Sequence, residues 1–195
     1  MQHQSFNPSA QPLHTVRALR EAFIACGAVP AWPEEIAEAH ALAARLISGR
    51  IASAATLARV HARTGAGVFI VRDGGELTAV IALVMLSEEG RQAVWRDAFD
   101  AVNPADRHVL RRGGEPAGVY GWGVAASNHE AAKKVIQGYL LASRSAVPHL
   151  AFFGRPVTPD GRRLMLERLG FTPVPGSTTG LTWIEPVAVR QATAA

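Results

Sequence analysis

The chain has 195 residues, of which 48% are hydrophobic and 18% charged, enough apolar material for one sizeable core and too little charge for a disordered chain. Its formal charge is +4, and all but two of its 20 basic residues are arginines scattered without a dense tract, which reads as a solvated basic surface with no nucleic-acid partner. A single cysteine, Cys26, excludes an internal disulfide framework and fits the reducing cytosol, hence a cytoplasmic protein.

Residues 1–12 are polar, with neither a charged leader nor an apolar h-region, and read as a loose tail. From there to residue 66 the pattern is helical. Val16, Leu19, Ala22, Phe23 and Cys26 recur at three and four, as do Ile36, Ala39, Leu42, Ala43, Leu46 and Ile47, with Pro33 at a first helical position and Gly49 as a stop. A third helix is predicted from Ser53 to Arg63, ending at Thr64-Gly65.

At Gly67 the period changes. Val68 to Val71, a turn through Asp73-Gly74-Gly75, and Glu76 to Leu86 predict a hairpin, the glycines supplying the positive φ that its turn needs. The second arm is apolar on both pleat faces, so it is expected to be a central strand covered by helices on each side. It is too short for the roughly 20 apolar residues of a membrane-spanning helix. A short helix is expected around Arg91 to Val102, then a basic loop through Arg107, Arg111 and Arg112.

Gly118 to Ala125 predicts a third strand, with Val119, Gly121, Gly123 and Ala125 on one face and Tyr120, Trp122 and Val124 on the other. Its glycines mark a bulge or a close approach of backbone or ligand. Ser127-Asn128-His129-Glu130 reads as a capping box opening a helix with Ala131, Val135, Ile136, Tyr139 and Leu140 as its apolar stripe. His149 to Phe153 predicts a strand, Thr158-Pro159 a helix start, and Gly170 its stop; Thr172 to Pro186 reads as a strand pair broken at Pro175-Gly176, and 187–195 as a second tail.

No His or Cys pair has metal-ligand spacing, and neither a Gly-x-Ser-x-Gly elbow nor a dinucleotide-binding glycine turn is present. Glu76, Glu88, Glu89, His108 and Glu115 are the right types for a general base, but each reads first as a surface residue, so no catalytic residue is assigned.

The order helices, hairpin, strand, helix, strand, helix, two strands, with Arg163 to Phe171 ending in Leu169-Gly170-Phe171, resembles the GNAT superfamily of acyl-CoA N-acyltransferases. The resemblance covers residues 67–186, with 13–66 as a helical N-terminal portion of the same domain. It implies an α/β (α+β) fold with a mixed, largely antiparallel sheet flanked by helices. It also implies transfer of an acyl group, acetyl or longer, from coenzyme A to the amine of a small molecule. In that family the pantetheine arm lies along the strand, here Trp122, Gly123 and Val124, and the pyrophosphate sits at the following helix start, here Asn128, His129 and Lys133.

This sequence departs from the family pattern twice. The phosphate-loop glycines are absent from Ser127 to Lys134, where Glu130 adds negative charge. Leu166 stands where many members carry a proton-donating tyrosine. Two readings therefore stand side by side: a divergent acyltransferase, and a non-catalytic relative that binds another small ligand or self-associates as a homodimer, with Trp183 and Val119 among the apolar positions available for pairing.

Overall fold

A computed structural model describes residues 13–187. The tails expected at 1–12 and 187–195 lie outside the described residues, Val187 apart. In chain order the elements are α1 (Leu13–Ala25), β1 (Val29–Pro30), α2 (Ile36–Leu46), α3 (Ala54–Thr64), β2 (Val68–Asp73), β3 (Glu76–Leu86), α4 (Glu88–Trp95), β4 (Gly118–Ala126), α5 (His129–Leu141), β5 (Phe152–Gly154), α6 (Pro159–Arg163), β6 (Thr172–Pro173) and β7 (Thr182–Ile184).

The strands form one seven-stranded sheet in the order β1-β2-β3-β4-β5-β7-β6. Every neighbouring pair is antiparallel except β4 and β5, which run parallel. This is the mixed, largely antiparallel sheet that the resemblance implies, in the implied element order. The predicted hairpin is β2 and β3, with Gly74 and Gly75 at φ 56° and 89° in its turn.

Every residue of β3 beyond Glu76 is buried, because helices cover both faces of the sheet. Ala79, Ile81, Leu83 and Met85 join a core with Leu19 and Phe23 of α1 and Val135 and Tyr139 of α5. On the other face Val80 and Ala82 pack with Ala39 and Leu42 of α2, while Val84 and Leu86 meet Val94 of α4. Phe23 stacks on Phe69 with ring centroids 4.3 Å apart, both fully buried. A buried side chain of that size contributes about 1.5–3 kcal/mol of transfer free energy. Val119, expected as a pairing position, belongs to the same core at 0% exposure and cannot meet a second copy.

Local signals set most boundaries. Ser53 Oγ accepts from Thr56 N–H at 3.1 Å to start α3, and Gly65 closes it at φ 71°. Thr158 Oγ1 accepts from Gly161 N–H at 3.0 Å to start α6, which continues as a wider π turn over Leu164–Leu169. Gly170 then adopts φ 78°, and Phe171 folds back, its N–H donating to Met165 O at 3.0 Å while its ring enters the core.

Four expectations need correction. The helix placed at Arg91 to Val102 is α4, which starts at Ser87, whose Oγ accepts from Gly90 N–H, and stops at Trp95, since Asp97 turns left-handed at φ 54°. The strand placed at His149 to Phe153 pairs only over Phe152–Gly154. The capping box fails: Asn128, not Ser127, is the N-cap, its Oδ1 accepting from Ala131 N–H at 2.8 Å, while Ser127 Oγ donates to Thr78 O. Glu130 therefore occupies the second helical position and faces solvent.

The fourth correction concerns β4. Ala82 pairs with Gly123 and Leu83 with Gly121, so Trp122 is the extra residue of a β-bulge. Facing order therefore switches at Trp122: Val119 and Gly121, then Val124 and Ala126, lie toward α5, whereas Tyr120, then Gly123 and Ala125, lie toward the opposite face. The strict alternation read from the sequence holds only up to the bulge.

Candidate active site

β5 is short and β4 is long. Their pairing runs from Val119 opposite Phe152 to Gly121 opposite Gly154 and stops there, so Trp122 to Ala126 continue without a strand neighbour on that side. The bulge at Trp122 adds local twist at the point where the strands part. A fork results, with unpaired backbone polar groups along one edge.

A cavity of about 450 Å³ opens at this fork. That volume lies within the usual range for small-molecule sites. Its walls are mostly apolar, with Ile47 after α2, Trp122 and Val124 of β4, Val157, and Leu164 and Met165 after α6. The lining residues include no aspartate or glutamate; His40, Arg50 and Arg155 are the basic groups. The Trp122 indole N–H donates to Ala101 O, drawing the loop of Ala101 and Val102 over the cavity.

Two side chains at the fork each carry a buried polar atom with no partner among the described residues. Tyr139 of α5 is buried, and its hydroxyl has no hydrogen-bond partner among the described residues. That oxygen lies 3.6 Å from where a side chain at Gly121 would begin. Burial pushes its ionisation far above the ordinary tyrosine range, so the hydroxyl keeps its proton and remains a donor. Arg155 directly follows β5; its Nη2 donates to Asp97 Oδ1 at 3.1 Å, and its Nε is buried without a partner among the described residues. Burial also raises Tyr120, against the opposing pull of the Arg155 charge.

Of the residues expected to hold a cofactor, Trp122, Gly123 and Val124 line the cavity. Asn128, His129 and Lys133 do not; they lie exposed along the start of α5. There the Asn128 side chain already occupies the Ala131 N–H, leaving the N–H groups of His129 and Glu130 as the donors of the first turn. The base candidates stand elsewhere: Glu88 pairs with Arg91, Glu89 with Arg107, and Glu115 accepts from Thr15, while none of these, nor Glu76 or His108, lines the cavity. His40, Tyr139 and Arg155 were not singled out as site residues in the sequence. The only signal for Arg155 was a lone arginine directly after the apolar Phe152-Phe153-Gly154. Among the described residues no group of three His, Cys, Asp or Glu side chains is placed to hold a metal ion, and no helix is long and apolar enough to cross a membrane.

No family model and no curated protein matches the chain. Solved structures do. The GNAT-like decarboxylase GphF in complex with isobutyryl-CoA is 18% identical, covering 72% of this chain and 70% of its own, with a TM-score of 0.48. A Corynebacterium glutamicum protein solved as a histone acetyltransferase and related acetyltransferase is 14% identical over 82% of this chain and 96% of its own, with a TM-score of 0.49. An N-acetyltransferase from Staphylococcus aureus is 10% identical over 80% and 98%, with a TM-score of 0.46.

Proposed function

We propose that this chain is a divergent acyl-CoA-dependent N-acyltransferase. The observation that carries the reading is the fork: β4 outruns β5 beyond Gly121 and presents an unpaired edge to a cavity of about 450 Å³. A pantetheine arm is an extended chain of amides, and the edge of Trp122, Gly123 and Val124 offers it strand-like hydrogen bonds. The pyrophosphate then falls at the start of α5, on the free N–H groups of His129 and Glu130, with Asn128 holding the turn and Lys133 adding charge. The lone thiol and small apolar cavity suit a cytoplasmic protein with a small-molecule substrate.

In the reaction an amine nitrogen attacks the thioester carbonyl, the C–N bond forms, the C–S bond breaks, and coenzyme A leaves as a thiol after taking up a proton. The Tyr139 hydroxyl, protonated and unpartnered at the fork, is the donor this chain offers to the departing sulfur or the carbonyl oxygen. With no carboxylate lining the cavity, the amine enters as its neutral form or gives its proton to solvent or to His40.

Leu166 in the family's tyrosine position and the Asn128 side chain on Ala131 N–H favour a second reading, a GNAT-fold protein that binds a ligand or a second copy without turnover. Calorimetric titration with acetyl-CoA and a longer acyl-CoA, together with a thioester-cleavage assay over a panel of amines, separates the two. Micromolar binding with turnover supports the enzyme; binding without turnover selects the second reading; no binding by wild type or by Glu130→Gln refutes the cofactor site.

A further inference from the structure

Arg155 is the charged group whose environment the proposed reaction leaves unexplained. Its side chain is 21% exposed and lines a cavity that is otherwise mostly apolar. Of its five N–H donors, one on Nη2 meets Asp97 Oδ1 at 3.1 Å, and Nε is buried with no partner among the described residues. Burying that Nε–H without an acceptor is unfavourable unless a ligand supplies one.

Asp97 is built to position this guanidinium. It sits in a left-handed corner at φ 54° just past α4, and its carboxylate accepts from Ser177 Oγ at 3.2 Å, from Thr178 N–H at 3.0 Å and from the Thr179 hydroxyl. Those donors hold the Asp97 carboxyl below its usual range and share its negative charge, so one ion pair does not exhaust Arg155. The anchor comes from outside the cavity, whose lining has no acidic side chain.

We propose that Arg155 binds a carboxylate of the substrate held in the cavity, so that either the acyl group or the acceptor amine carries an acid. With one Nη2–H on Asp97, the planar guanidinium keeps an edge of two parallel N–H donors, which includes its other Nη2–H, in the geometry of a two-oxygen group. Arg50, the other guanidinium lining the cavity, is exposed, so Arg155 is the largely covered one among apolar walls and suits one carboxylate joined to a hydrocarbon body. This proposal rests on the acyl-CoA reading of the same cavity and narrows it to one substrate class.

The test compares succinyl-CoA with butyryl-CoA, whose acyl chains have the same length and end in a carboxylate or a methyl group, by calorimetry on the full chain. A second arm measures butyryl-CoA cleavage with free amino acids against the corresponding amino acid amides. An about ten-fold preference for the acid form is expected in one arm, the value usual for a charge-assisted pair, and that arm identifies which substrate carries the acid. Arg155→Gln should reduce the preference to less than about two-fold, the acid form losing more affinity or turnover than its neutral counterpart, which loss of packing alone would not produce. Should that variant fail to fold, Arg155→Lys keeps the charge facing Asp97 and loses the planar fork, and the preference should still fall. Asp97→Asn keeps an amide oxygen to accept from Arg155 Nη2, so the preference should be retained. Butyryl-CoA binding with no acid preference in either arm, or a preference that survives Arg155→Gln, overturns the proposal and leaves the acyl-CoA reading standing. Failure of every thioester to bind overturns both.

Discussion

Replacing Gly121 by alanine adds one methyl group where β4 and β5 part. That methyl would stand 3.5 Å from Phe153 O, 3.6 Å from the Tyr139 hydroxyl and 3.9 Å from its ring, all ordinary contacts. No neighbour has to move. A glycine inside a strand is less favourable than alanine by about 0.5–1 kcal/mol, so the variant should be more stable by that amount. For a chain of this size the gain raises Tm by about 1–4 °C. The same methyl takes space at the fork, and fitting a ligand against it costs about 1–3 kcal/mol, the usual price of overpacking. Acyl-CoA should therefore bind about 5- to 150-fold more weakly. Differential scanning calorimetry and isothermal titration on the same preparation read the two opposite effects. A protein that is more stable and binds less well supports the fork as the site. Unchanged affinity in a fully folded Gly121→Ala places the thioester elsewhere, and a lower Tm contradicts the packing described around Tyr139.

Other consequences can be checked on stability alone or alongside activity. In Gly138→Ala the added Cβ would lie 2.5 Å from Phe23 Cδ1 and 3.2 Å from Phe23 Cα, so α1 must shift off α5; a loss of about 1–3 kcal/mol is expected in urea unfolding. Tyr139→Phe removes a buried hydroxyl that has no partner, so stability should hold or rise by about 1 kcal/mol while thioester turnover falls about 100-fold at near-constant coenzyme A affinity. His61 is buried, with Nδ1 accepting from Val68 N–H at 3.1 Å, and burial lowers its pKa, as it does for His108. The folded protein therefore binds fewer protons than the unfolded chain below the ordinary histidine value of about 6.5. Stability should be fully present above that pH and decline as pH falls through the lowered folded values. Urea midpoints between pH 5 and 8 should show this slope, reduced in His61→Gln; a flat profile in wild type contradicts it.

Periodicity and punctuation made much of the frame legible. The Asp73-Gly74-Gly75 turn, the two-faced apolar run of β3, the Thr158 cap and the left-handed Gly170 each follow from a local preference that the folded chain keeps. The errors fall where a local choice was degenerate. Ser127 and Asn128 are both good caps, and Ser127 is taken by Thr78 O of the neighbouring strand, a contact between residues far apart in sequence. The Trp122 bulge leaves no mark in hydrophobic alternation, because the residues after it are small or apolar in either facing order. The resemblance singles out Trp122, Gly123 and Val124 as cofactor-binding, and they line the cavity. Arg155 could not be singled out, since its meaning comes from Asp97, Ser177 and Thr179, which only the fold brings beside it.

The loop between α4 and β4 is fastened on either side of Ala101 and Val102. Asp97 is tied to the turn at Ser177 to Thr179, while Arg59 of α3 reaches Asn103 Oδ1 at 3.1 Å and Pro104 O at 2.8 Å and pairs with Asp106. Between these moorings Asp100 Oδ1 accepts from the N–H groups of Val102 and Asn103, and the Trp122 indole holds Ala101 from below. The Val102 side chain thus projects from a braced span whose hydrogen bonds are made by its neighbours and its own backbone. Exchanging it for alanine or leucine should enlarge or trim the chamber while the bracing stays, so on the proposed acyl-CoA reading the chain length accepted can be retuned at this position without first rebuilding the enclosure.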